Sequence, residues 1–130
     1  GPFVEEMLRY DGPVQMLFRH TTRAVEMHGV TIPANTLVMP LLGAANHDDR
    51  KYDNAEQFEL DRKPKEMMSF GQGPHFCLGF YLSRMEARLA IETLLERFEV
   101  LEPLTGEPKW MESYFARGPK GLPVRFKIRG

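Results

Sequence analysis

The chain has a single cysteine, Cys77, within the segment Phe70-Gly71-Gln72-Gly73-Pro74-His75-Phe76-Cys77-Leu78-Gly79. A cysteine that ligates a metal does so as its thiolate, which must be exposed on one side and held by donors that moderate its charge. The start of a helix supplies such donors, as free backbone N–H groups at the positive end of the helix dipole. Glycines ahead of it allow a turn closed to other residues and let backbone approach a flat ring. This segment meets those needs, with Gly71 and Gly73 in the turn, Cys77 at an expected helix start and Gly79 just inside it. Phe70 is placed to shield one side of the sulfur. The competing reading is a small buried apolar residue, the commonest fate of a free cysteine. One cysteine excludes an internal disulfide and a multi-cysteine zinc site, and His75-x-Cys77 offers too few ligands to make a site alone.

A second pattern is Glu6-Met7-Leu8-Arg9, which sets a carboxylate and a guanidinium on one face of a helix. By itself it reads as a solvated surface pair. The same spacing recurs at Glu59 and Arg62, so chance generates it in this composition.

These residues need elements to position them. Val4, Met7 and Leu8 at helical spacing, after Pro2, predict a helix over 1–10, stopped by Gly12-Pro13. Residues 14–42 read as short strands at Met16-Leu17-Phe18, Ala24-Val25, Val30-Thr31-Ile32 and Leu37-Val38-Met39. Turns are expected at His28-Gly29 and Pro33-Ala34-Asn35, Asn35 being a residue that tolerates positive φ. Residues 43–69 hold a short helix and a long polar, nearly aperiodic stretch of the kind that is usually functional. After the cysteine loop at 70–79, Leu78, Leu82, Met85, Leu89, Leu94 and Phe98 predict a long helix over 77–98. Strands at Phe98–Leu101, Ser113–Ala116 and Leu122–Ile128 complete a β-tail over 99–130. The fold class is α+β in a single domain over 1–130, which the resemblance given below implies is partial.

The composition limits the partners. The 130 residues are 42% hydrophobic and 27% charged with a formal net charge of -1, ordinary for one soluble domain. That charge gives no electrostatic case for nucleic acid. The longest apolar stretch, Leu37 to Ala45, is broken by Pro40 and Gly43 and is too short for a membrane span. No signal-peptide pattern opens the chain, so a cytoplasmic protein that does not enter membranes is expected.

Taken together, Phe70-Gly71-x-Gly73-x-His75-x-Cys77-x-Gly79 resembles the haem-binding signature of the cytochrome P-450 family, bacterial type. Six fixed positions arise by chance in roughly one of 10⁵–10⁶ chains of this length, which sets the buried-cysteine reading aside. The resemblance covers the whole sequence and implies the C-terminal third of that fold. Its parts are a Glu-x-x-Arg helix, short strands, a meander, the cysteine loop, a long proximal helix and the β-tail. The implied activity is a haem-thiolate monooxygenase that inserts one atom of dioxygen into an organic, lipophilic substrate.

The resemblance also assigns residues. Cys77 would ligate the iron of haem b (iron protoporphyrin IX). Phe70, Gly71, Gly73 and Gly79 would line the ligand loop, and Arg19 and His75 would meet the haem propionates. Glu6, Arg9 and Arg62 would form a structural triad that locks the meander beneath the cysteine and takes no part in the chemistry. Gln15, Met16, Leu17 and Phe18, with Tyr114, Phe115 and Ala116 near the C-terminus, match segments that contact substrate, although core packing explains them nearly as well. A ferredoxin or flavodoxin-type electron donor would meet the cysteine-loop face near Lys63, Lys65, His75 and Arg84. Departures from the family pattern are mild: His47 stands where Arg is frequent, Asn54 where Pro is usual and Asn35 where Gly is frequent. The family's distal helix, which delivers protons to dioxygen, has no counterpart here, and Glu6 is not its acid. Catalytic residues beyond the haem ligand are therefore unassigned. The resemblance leaves open a monooxygenase segment completed by an N-terminal portion, a non-catalytic haem-binding module, and a haem-free truncated fragment that self-associates.

Overall fold

A computed structural model describes residues 1–64, 66–104 and 106–130. It opens with helix α1 (Pro2–Tyr10), which has proline in its first turn, Glu5 near its N-terminus and Arg9 in its last turn. Both charges complement the helix dipole. Val4 and Leu8, one turn apart, are buried with Met67, and Phe70, Ala87 and Ile91 pack against them. This small core fixes α1, the start of the cysteine loop and the long helix in one place. Gly12 follows where a Cβ would meet the Leu8 carbonyl oxygen at 2.5 Å, so only glycine lets the chain leave the helix this closely.

Four short strands follow: β1 (Arg19–His20), β2 (Val25–Met27), β3 (Val30–Ile32) and β4 (Leu37–Val38). Strand β1 pairs antiparallel with β4, and β2 with β3. His28 and Gly29 both have positive φ, at 49° and 79°. That pair of conformations makes the tight hairpin turn whose twist matches the flanking strands. Asn35 has φ 59°, as its side chain allows.

Helix α2 (Leu42–Asn46) leads into the polar stretch, then come two single 3₁₀ turns at Met68–Phe70 and Gly73–His75. The long helix α3 (Phe80–Arg97) runs directly into β5 (Phe98–Pro103), which pairs antiparallel with β6 (Val124–Ile128). Among the described residues no helix is long and apolar enough to cross a membrane.

Three expected elements differ from those observed. Met16-Leu17-Phe18 forms no strand, because this segment bonds alternately to two neighbours. Val14 bridges Ala116 and Met16 bridges Leu41, while the Leu17 N–H donates to the Pro40 carbonyl at 3.1 Å. Ser113–Ala116 is likewise no strand, because the Ser113 hydroxyl accepts the N–H groups of Phe115 at 3.2 Å and Ala116 at 3.0 Å. Side-chain bonds of this kind compete with a sheet ladder. The third difference is the start of the long helix, at Phe80 with Gly79 as N-cap rather than at Cys77. Ahead of it the Cys77 N–H donates to the Phe70 carbonyl at 3.0 Å and the Cys77 carbonyl accepts the Phe80 N–H at 3.4 Å, so Cys77 belongs to the turn that precedes the helix.

Candidate functional site

The site is built on a buried ion-pair cluster. Glu6 and Arg9 are 0% and 1% exposed, and with Asn46 they are the largest fully buried side chains described. Arg9 holds Glu6 in a two-pronged contact, Nε to Oε2 at 2.8 Å and Nη2 to Oε1 at 2.8 Å. Its remaining donors reach the carbonyls of Asn46 at 2.7 Å, Ala55 at 2.9 Å and Gln57 at 3.0 Å. All five guanidinium N–H groups therefore have acceptors, from α1, from the end of α2 and from the polar stretch.

Arg62 completes the cluster from 56 positions away, with Nε donating to Glu6 Oε1 at 3.1 Å. Its other nitrogens hold the carbonyls of Asp53 at 2.6 Å and Asn54 at 3.1 Å. The Glu59 backbone N–H also donates to Glu6 Oε1, at 3.0 Å, and the Glu59 carboxylate pairs with Arg62 at 3.2 Å. So the second copy of the carboxylate–guanidinium spacing lies in the same cluster as the first. Burial pushes the Glu6 carboxyl up. The Arg9 hydrogen bonds, the Glu59 N–H, the Arg9 charge and the Arg62 bond outweigh that, and hold it below its ordinary value. Its hydrogen bonds to Glu6 raise Arg9 further above an already high value. Both groups stay charged, as a buried pair must if neither is to be left uncompensated.

The cysteine loop hangs from this cluster by Asn46. Asn46 Nδ2 donates to Ser69 Oγ at 2.9 Å, and Oδ1 accepts the Met68 N–H at 2.7 Å. Ser69 Oγ in turn donates to the Leu8 carbonyl at 2.6 Å. Asn46 carries no motif in the sequence. The one signal was a polar residue ending the apolar run before His47. Asn46→Ala is expected to cost about 1–3 kcal/mol, because it strands a part-buried Met68 N–H. Urea unfolding monitored by circular dichroism would measure it.

From there the backbone turns through Gly71, at φ 70° and ψ -166°, a region essentially reserved for glycine. Gly73 also has positive φ, and a Cβ placed there meets nothing within 4 Å, so the turn presents an open surface. His75 closes the second 3₁₀ turn and is exposed. Cys77 is free and exposed, two residues ahead of the helix N-cap. Three rings surround it in sequence: Phe70 lies 6.4 Å from Phe76 and 6.1 Å from Phe80, and Phe76 lies 4.8 Å from Phe80, centre to centre. The residues fit a metal that brings its other ligands with it. Among the described residues no three His, Cys, Asp or Glu side chains gather to hold a bare ion, whereas one exposed sulfur beside an open glycine turn suits an iron already held in a flat ring.

The remaining expected site residues are spread over other segments. Arg19, on β1, is exposed and donates to the Phe18 carbonyl at 2.9 Å. The Gln15 amide donates to the Gly12 carbonyl at 2.5 Å, and a Cβ on Gly43 would collide with it, so this side chain packs between the Gly12 turn and the start of α2. Phe18, Tyr114 and Phe115 are exposed, and Met16, Leu17 and Ala116 partly buried. The two apolar segments are joined, because the Gln15 N–H donates to the Phe115 carbonyl at 3.3 Å and the Arg117 N–H to the Pro13 carbonyl at 2.7 Å. On the expected electron-donor face, Lys63 is exposed and Lys65 lies outside the described residues. Arg84 is not a free steering charge, since Glu5 holds it through two bonds of 2.6 and 2.9 Å.

The chain is similar to known proteins in sequence and in fold. The family model described as Cytochrome P-450 matches residues 2–126. Cytochrome P-450 107B1 of Saccharopolyspora erythraea is 42% identical over 126 residues, covering 94% of this chain and 31% of the relative. The biotin biosynthesis cytochrome P-450 of Bacillus subtilis is 41% identical over 127 residues, covering 98% of this chain and 32% of the relative. The solved structure of cytochrome P-450 CYP109Q5 from Chondromyces apiculatus superposes with a TM-score of 0.94 at 39% identity, covering 98% of this chain and 33% of that one. The chain thus spans about a third of the length of the relatives it matches. With the match running over almost all of its residues, the chain belongs to the cytochrome P-450 family.

Proposed function

We propose that these residues are the haem-binding segment of a haem-thiolate monooxygenase, with Cys77 as the thiolate ligand of haem b. The observation that carries this reading is the exposed Cys77 beside the glycine turn, anchored through Asn46 to the buried Glu6–Arg9–Arg62 cluster. Thiolate ligation donates electron density to iron and favours O–O cleavage, which is the chemistry the haem supplies when bound. The chain's own residues then have distinct tasks. Phe70 and the turn at Gly71 and Gly73 hold the sulfur in a shielded, one-sided setting, and Gly79 keeps its flank free of a side chain. Arg19 and His75 meet the propionates as charge-assisted donors. Met16, Leu17, Phe18, Phe115 and Ala116 present apolar surface to a lipophilic substrate, with Gln15 fixing the turn they depart from. Glu6, Arg9 and Arg62 carry load and take no part in the chemistry.

The coverage of the relatives supports reading the chain as one part of a longer protein. A flat apolar ring needs cover on both faces, and these elements supply only one side. Leu78 is fully exposed, and Tyr81, Leu82, Met85, Leu89 and Leu95 along α3 are all exposed. Alone, such apolar surface favours self-association. The 130-residue chain by itself is expected to bind haem weakly and to associate, and the full-length protein to hold one haem per monomer. Haem titration with light scattering on both would test this, and a monomeric 130-residue chain with stoichiometric haem would count against it.

Reduction would come from a ferredoxin or flavodoxin-type donor approaching the cysteine-loop face, where Lys63 is exposed. In the full-length protein Lys63→Glu should slow reduction a few-fold at low ionic strength and less at high salt. Stopped-flow reduction across a salt series would measure this. Equal rates at every salt concentration would remove Lys63 from the docking face.

A further inference from the structure

We infer that Arg84 is a positioning residue for the cysteine site, a fixed cation held over the Phe70 ring that raises the reduction potential of the haem. The inference rests on the haem-thiolate reading given above. Arg84 stands on α3, and its guanidinium carbon lies 4.5 Å from the centre of the Phe70 ring and 5.2 Å from that of Phe80. Glu5, on α1, grips Nε and Nη2 and leaves Nη1 as the one buried side-chain nitrogen or oxygen without a hydrogen-bond partner among the described residues. A buried donor without an acceptor is costly unless something else stabilises it. Here the negative faces of two aromatic rings do so.

The geometry links this cation to the sulfur. Phe70 packs on the core of Val4, Leu8 and Met67, and its carbonyl accepts the Cys77 N–H at 3.0 Å. Phe80 caps the other side, with the Phe80 N–H donating to the Cys77 carbonyl at 3.4 Å. Arg84 therefore presses on both aromatic residues that hydrogen-bond the backbone of the cysteine. Its position is set by a carboxylate one residue before Glu6, so the ion-pair helix orients the charge as well as the meander.

Adding one electron to ferric haem adds one negative charge, and a partly buried cation nearby favours the reduced form. Removing it shifts the equilibrium toward the ferric form, and removing its counter-charge does the opposite. In the full-length haem-loaded protein, Arg84→Gln should lower the ferrous-to-ferric ratio at fixed potential by about threefold. By the one-electron constant of 59 mV per tenfold, that is a downward shift of about 30 mV. Glu5→Gln should move the potential upward. A purely structural ion pair would be broken equally by either change and would shift the potential in one direction for both.

Spectroelectrochemical titration of the wild-type protein, Arg84→Gln, Arg84→Lys and Glu5→Gln reads this directly. Opposite shifts for Arg84→Gln and Glu5→Gln, with Arg84→Lys near wild type, are expected. Shifts of the same sign, or no shift in Arg84→Gln, would overturn the role of Arg84. The wild-type protein in the same experiment separates this from the underlying reading. If its reduced carbon monoxide complex lacks a thiolate-type spectrum, the haem-thiolate assignment fails. If that spectrum is present and the potentials do not move, only the inference about Arg84 fails.

Discussion

Glu6→Ala is expected to destabilise the protein by about 3–5 kcal/mol, because it leaves the buried Arg9 with no counter-charge and Arg62 with only the more exposed Glu59 carboxylate. Arg9 is 1% exposed, so water does not replace the lost carboxylate there at low cost, whereas Arg62 is only partly buried. Arg9→Lys should be nearly as damaging. Lysine has three donors on one nitrogen and cannot span the carboxylate and the three carbonyls that Arg9 reaches. The effects of Glu6→Ala and Arg62→Ala should be far from additive, because each removes the other's partner. Urea unfolding of the two single mutants and the double mutant would measure the coupling, and a value near zero would return the pair to a solvated surface contact.

The same group sets a pH dependence. The folded Glu6 carboxyl lies below its ordinary value. Its contribution to stability is therefore complete above that value and is lost as the pH falls through the lower, folded one. Glu6→Gln should flatten the acid limb of a stability–pH curve. An unchanged acid limb would show that other carboxylates dominate it.

The second large effect concerns the sulfur. Cys77→Ala should abolish any thiolate-type spectrum in the haem-loaded full-length protein, since these 130 residues, which carry the glycine turn, hold no other cysteine to take its place. Cys77→His should leave at most a histidine-type haem. An intact thiolate spectrum in Cys77→Ala would remove Cys77 from the iron.

Much of this was legible in the sequence, for reasons that differ from residue to residue. The cysteine loop could be read locally, because the glycines, the cysteine and the following helix are neighbours in the chain and each has a conformational or chemical reason for its place. The Glu6–Arg9 spacing was equally local, but its burial was not, and without the family resemblance it looked like a surface pair. Arg62 and Glu59 join Glu6 across more than 50 positions, and no periodicity carries that information. The second copy of the spacing therefore passed for coincidence. Asn46 and the Arg84–Glu5 pair were missed for the same reason: each bond is tertiary, between 22 and 79 positions apart. The strand expectations failed at Met16–Phe18 and Ser113–Ala116, where apolar patterning was present but the backbone partners alternated or a serine hydroxyl took the N–H groups.

The most direct test of the central claim is the visible spectrum of the reduced full-length protein under carbon monoxide. A thiolate-type complex, with one haem per monomer, is the result expected if Cys77 ligates the iron. A histidine-type complex, or full-length protein that takes up no haem, would contradict it.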